Sequence, residues 1–116
     1  MNAARSTAYL ITSYGMGQTA AGPLKEKLIK TFLTLLEQSE MLPGALCFYT
    51  DGVRLVCAGS PVLEELARLE KRGVRLIICQ TCLNDFQLTE QFRVGIVGGM
   101  ADILTVMQTA DSVITI

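Results

Sequence analysis

The chain contains no histidine and no tryptophan. Without histidine it lacks the commonest metal ligand and the side chain that most often serves as general base near neutral pH, so its chemistry must run on other groups. Aromatic residues make up only 6% of the sequence, too few for the stacking platforms that hold single-stranded nucleic acid. Ten basic and eleven acidic residues leave a net charge of −1 and no basic stripe, which argues against a nucleic-acid partner. No apolar run approaches the roughly 18 to 20 residues needed to cross a bilayer, and Met1-Asn2-Ala3-Ala4-Arg5 leads straight into a strand-like segment. A cytoplasmic protein without membrane association is therefore expected.

What is present describes one compact domain over residues 1–116, with half of its residues apolar. A chain of this length buries roughly two thirds of the surface its unfolded form exposes and needs no disulfide or metal staple. Of the four cysteines, Cys47 and Cys57 sit inside apolar stretches and Cys79 ends one, unlike the loop-borne frameworks of small secreted proteins, so reduced thiols are expected. Cys47 and Cys57 read as small core residues.

Continuous apolar runs alternate with helical periodicity. Ala8-Tyr9-Leu10-Ile11-Thr12 reads as a buried strand closed by Ser13-Tyr14-Gly15-Met16-Gly17. Pro23 suits a first helical position, and Leu24, Leu28, Phe32, Leu35 and Leu36 predict one buried helix face. Ala45–Tyr49 is a second strand, and Val53–Cys57 a short extra strand or an extended return. Ser60 as cap, Pro61 at the first position and Gly73 as stop frame the next helix, which Val74–Ile78 follows as a strand. After one helical turn at Leu83–Phe86 come a strand at Val94–Val97, an amphipathic helix carrying Met100, Ile103, Leu104 and Met107, and a closing strand at Ser112–Ile116. Strands that are apolar throughout, alternating with helices, predict an α/β fold of three layers, helices on both faces of a mainly parallel sheet.

Cys79 and Cys82, in Cys79-Gln80-Thr81-Cys82, stand where the Val74–Ile78 run ends. Random placement of four cysteines would give such a pair in roughly one chain in ten, so position carries the argument. In an open parallel sheet the ligand crevice lies beyond the carboxyl ends of the strands. A thiol in such a strand–helix turn meets unpaired backbone N–H groups that favour thiolate, and lowering its pKa from about 8.5 to about 7 raises the thiolate fraction roughly tenfold. Polar Gln80 and Thr81 place the turn near solvent. Against a functional pair stands the reading of both cysteines as core packing. A zinc site wants four ligands, and Cys47 and Cys57 do not form a second close pair, so no metal and no cofactor is expected. Thioredoxin folds place a cis-proline after their motif, whereas Pro23, Pro43 and Pro61 all precede Cys79. Gly15-Met16-Gly17-Gln18-Thr19-Ala20 matches a loose dinucleotide fingerprint, but Pro23 sets the helix start well after the glycines and Asp51 lies too far along, so a flexible crevice loop is the better reading.

The cysteine motif, with Tyr9-Leu10-Ile11-Thr12-Ser13, Phe48-Tyr49-Thr50-Asp51-Gly52-Val53, Gly59-Ser60 and Ala110-Asp111-Ser112-Val113-Ile114-Thr115, resembles the DsrE-like (DsrE/DsrF/TusD) family, closest to the DsrE-type domain of YedF-like proteins. The resemblance implies a sheet of about five mostly parallel strands, assembly as trimers or hexamers, and sulfurtransferase chemistry through a cysteine persulfide. It places Cys79 at the sulfur-accepting position and leaves Cys82 as an additional, possible resolving thiol. It also implies sulfur-carrier or sulfur-donor partners such as TusA-like proteins, and a link to selenium metabolism. The turn residues Gln80 and Thr81, with Ser13, Tyr14 and Gly15 after the first strand, are the expected substrate-binding groups. Two other functions fit the same residues: a non-catalytic oligomeric adaptor or small-ligand-binding protein, and a dithiol oxidoreductase.

Overall fold

The computed structural model describes residues 6–116; the lead-in Met1–Arg5 lies outside the described residues. Five strands, β1 (Thr7–Ile11), β2 (Ala45–Phe48), β3 (Arg75–Cys79), β4 (Ile96–Gly98) and β5 (Ser112–Thr115), form one sheet in the order β4-β3-β2-β1-β5. All four pairings are parallel, as the uniformly apolar runs required. Four helices, α1 (Gly22–Gln38), α2 (Leu63–Lys71), α3 (Gln80–Asp85) and α4 (Met100–Thr109), alternate with the strands.

The strand order explains the layers. From β1 to β4 the chain steps across the sheet in one direction, then α4 returns it past β1 to β5. Right-handed crossovers therefore put α1 and α2 on one face and α4 on the other. The side chains agree: the Tyr9 ring meets Phe32 of α1 edge-on at 5.3 Å, and α4 supplies Asp102, Thr105 and Val106 to a cavity whose floor is Arg75, Ile77 and Ile96. Lys30 of α1 reaches the buried Glu65 of α2 at 3.1 Å.

Four local expectations change. On α1 the buried stripe is Ile29, Leu33 and Leu36, with Phe32 half-buried, while Leu24, Leu28 and Leu35 are exposed. Two apolar stripes run side by side on this helix, and the sheet takes the one that the spacing of leucines alone did not favour. Val53–Cys57 is not a strand; residues Thr50–Val56 form a 3-10 helix, and only Cys57 makes an isolated bridge, to Phe92. Burial of Val53, Leu55 and Val56 against the domain overrides the strand preference of the two β-branched valines. α2 begins at Leu63 instead of Pro61, because the Ser60 hydroxyl accepts the Val62 N–H within a preceding turn at 3.2 Å. β4 begins at Ile96 instead of Val94, after Gly95 turns the chain with φ 89° and donates its N–H to Glu70 at 3.0 Å.

Candidate functional site

Because every strand points the same way, Ile11, Phe48 and Cys79 end side by side at one rim of the sheet. At this rim β2 turns sharply. Thr50 adopts φ 49°, a left-handed conformation that is a true outlier for a β-branched residue. Its hydroxyl lies 2.6 Å from the Thr12 carbonyl and 2.7 Å from that of Tyr49, and the Tyr49 N–H donates to the Ile11 carbonyl at 3.2 Å. Gly52 then passes so close to β1 that a Cβ there would come within 1.9 Å of the Ile11 oxygen. These contacts lock the start of the 3-10 helix across the ends of β1 and β2.

The locked turn faces the cysteine pair. Cys79 ends β3 and α3 begins at the next residue, so no open turn separates the thiols; Gln80 and Thr81 are exposed in the first helical turn. Cys79 itself is only 1% exposed, whereas Cys82 is half-buried. The Thr50 N–H donates to the Cys82 sulfur at 3.0 Å. Burial pushes the Cys82 thiol above its ordinary value; the Thr50 N–H pulls it down, and the Cys79 thiol and Asp85 push it up again. At Cys82 loss of solvent outweighs the one backbone donor. The two cysteines are not bridged, and they stand three residues apart across the junction of β3 and α3.

The other cysteines stand apart. Cys47 is fully buried in β2, where burial raises its thiol to about 11 against the pull of Arg75. Cys57 lies behind the 3-10 helix with its thiol donating to the Val53 carbonyl at 3.3 Å, and burial raises it despite Arg54 and Arg93. Among the described residues, no cluster of three or more cysteine, aspartate or glutamate side chains has metal-ligand spacing.

The loop after β1 is shaped by α1. Gly15 is buried with φ 141°, and a Cβ there would lie 2.6 Å from that of Lys25; the adjacent Met16 N–H donates to the Lys25 carbonyl at 3.2 Å. Packing on the helix therefore accounts for this glycine. Ser13 donates to the Gly15 carbonyl at 3.2 Å. Tyr14 faces a cavity shared with Arg54, Cys57, Ala58, Gly59 and Leu88. Sequence reading missed Thr50 and Arg54 as site residues, although Asp51-Gly52 directly after a strand signals a tight turn there.

No described helix is long and apolar enough to cross a membrane. No curated protein matches the chain. Among solved structures the fold is similar to the YchN protein from E. coli, at 16% identity and TM-score 0.69 over 96% of this chain and 99% of that one. It is also similar to MTH1491 from Methanobacterium thermoautotrophicum, a protein of unknown function, at 16% identity and TM-score 0.67 over 97% of this chain and 99% of that one. BT1422 from Bacteroides thetaiotaomicron, likewise of unknown function, gives 14% identity and TM-score 0.62 over 96% and 95%. These likenesses establish the fold. The DsrE/DsrF-like family pattern matches residues 33–116, which include β2, the Thr50 turn, both site cysteines and β5; the chain belongs to the DsrE/DsrF-like family, which is associated with sulfur relay.

Proposed function

We propose that this protein is a sulfur-relay carrier that holds sulfur as a persulfide on Cys79, with Cys82 as the resolving thiol. The observation that carries the reading is the placement of two unbridged cysteines at one rim of the sheet, Cys79 ending β3 and Cys82 in the first turn of α3, where the Thr50 N–H donates to the Cys82 sulfur. The Cys79 thiolate attacks the outer sulfur of a donor persulfide; a sulfur–sulfur bond forms on Cys79, the donor's own sulfur–sulfur bond breaks, and the donor leaves as thiolate. An acceptor thiolate can then take the outer sulfur and restore Cys79. Alternatively the Cys82 thiolate attacks the inner sulfur, expelling hydrosulfide and leaving a Cys79–Cys82 disulfide that two external thiol equivalents reduce.

In this reading the exposed Gln80 and Thr81, with Ser13 and Tyr14, form the surface that receives the donor, while the buried Gly15 holds their loop against α1. The partners are sulfur-carrier proteins of the TusA-like kind, and the chain works as a homo-oligomer. Ile96, Met100 and Leu104, at 66%, 50% and 49% exposure, support a subunit contact beside β4 and α4. The narrower likeness to YedF-like proteins extends the proposal to selenium, which can take the place of the transferred sulfur.

One observation favours a second reading with the roles exchanged. Cys79 is almost fully buried while Cys82 is partly open, so sulfur would enter at Cys82 and Cys79 would resolve. Single-turnover loading from a persulfide donor, followed by measurement of sulfide released, separates the two. If Cys79 carries the sulfur, Cys82→Ser traps the persulfide and releases none, and Cys79→Ser takes up none. A Cys79→Ser variant that traps sulfur while Cys82→Ser takes up none exchanges the roles. Failure of every form to load would sink the proposal.

A further inference from the structure

The 3-10 helix and α3 touch at two rungs. At the first, the Thr50 N–H meets the Cys82 sulfur. At the second, four residues later on each strand of chain, the Arg54 guanidinium lies over the Phe86 ring, 4.2 Å from its centroid. Four residues advance about 6 Å along an α-helix and about 8 Å along a 3-10 helix, which sets the scale of the separation between Arg54 and the thiol rung. Arg54 borders a cavity of about 240 Å³ shared with Tyr14, Cys57, Ala58, Gly59 and Leu88.

Arg54 is already fixed in place. Its Nε donates to the Asp51 carboxylate at 3.2 Å, and its guanidinium carbon sits over the Phe86 ring. Neither contact uses the two terminal amino groups, which have no hydrogen-bond partner among the described residues. Tyr14 lines the same space, and burial together with the charge of Glu26 favours the protonated phenol. No acidic side chain lines the cavity, and Cys57, Ala58 and Leu88 give it an apolar wall. An anchored guanidinium fork beside a phenol donor, above an apolar wall, is the recognition chemistry of a small carboxylate with a short hydrocarbon body.

We propose that this cavity binds the carboxylate of a small organic thiol or its persulfide, with Arg54 and Tyr14 as the clamp. The identity of the ligand as a sulfur compound rests on the sulfur-relay reading: Arg54 belongs to the rung next to that of Thr50 and Cys82, although neither Cys79 nor Cys82 lines the cavity itself. The protein would then accept sulfur from a small-molecule donor as well as from a carrier protein.

The test titrates 3-mercaptopropionate into the ¹⁵N-labelled protein and follows the amides of Tyr14, Ala58, Gly59 and Leu88. Saturable shifts are expected, with affinity weakened about tenfold or more in Arg54→Gln and less in Arg54→Lys, which keeps the charge but not the planar fork. Lys30→Ala, on α1, leaves the affinity unchanged, and propanethiol, which lacks the carboxylate, binds the wild type no better than it binds Arg54→Gln. Absence of saturable shifts, or affinity unaffected by Arg54→Gln, overturns the inference. Persulfide loading from inorganic polysulfide needs no carboxylate and is measured in parallel. Loaded cysteines without mercaptopropionate binding overturn the clamp alone; binding without loading supports the clamp and overturns the transfer reading.

Discussion

The backbone N–H of Thr50 donates to the sulfur of Cys82 at 3.0 Å across 32 residues of sequence. That contact exists only because Thr50 is held left-handed, and it joins the end of β2 to the first turn of α3. The pair of cysteines is therefore part of a braced corner where three strand ends meet.

The brace fixes what substitution at Thr50 does. Thr50→Gly loses the hydroxyl contacts to Thr12 and Tyr49, worth about 1 kcal/mol, but relieves about 1 kcal/mol of left-handed strain. Its stability in urea should stay within about 1 kcal/mol of wild type. Thr50→Val keeps the strain and loses the hydroxyl, so it should cost about 1 to 2 kcal/mol. A valine variant as stable as the glycine variant would show that the hydroxyl does not hold the turn.

Gly52 permits the same corner. A methyl group there meets the Ile11 carbonyl at 1.9 Å, a backbone atom that cannot swing aside. Gly52→Ala should destabilise by about 3 kcal/mol, at the upper end of overpacking costs. Gly59→Ala, with φ 89° but open space around it, should cost only about 1 to 2 kcal/mol. Equal losses in denaturant unfolding would contradict the close approach.

Cys47 predicts an alkaline limit. Its thiol rises from 9.0 to about 11 in the fold, so the native state holds the proton more tightly than the unfolded chain. The associated stability is fully present below about pH 9 and is lost as pH climbs through about 11, at most about 2 to 3 kcal/mol. The wild type should therefore lose more stability between pH 9 and pH 11 than Cys47→Val. Parallel pH profiles for the two proteins would remove Cys47 from the account.

Much of this architecture is legible in the sequence, for a physical reason. β1, β2 and β3 are buried along most of their length and so need apolar runs, and the end of one such run delivers Cys79 to the rim; the mostly exposed edge strand β5 is legible from its β-branched Val113-Ile114-Thr115 instead. Other features depend on contacts between distant segments. The α1 face could not be chosen from two neighbouring leucine-rich stripes, because the sheet makes the choice. The 3-10 helix hides behind strand-like valines, and its first residue serves Cys82 through a backbone N–H, which no residue-type pattern records. Arg54 resembles any exposed arginine until Asp51 and Phe86 are seen to hold it.

The most direct test of the central claim is to find where the sulfur sits. Wild-type, Cys79→Ser and Cys82→Ser proteins are exposed to a persulfide donor, digested without reductant and mapped by peptide mass spectrometry. The account predicts a sulfur adduct on Cys79, retained in Cys82→Ser and absent from Cys79→Ser, with Cys47 and Cys57 unmodified. An adduct confined to Cys82, or no adduct on a folded protein, would contradict it.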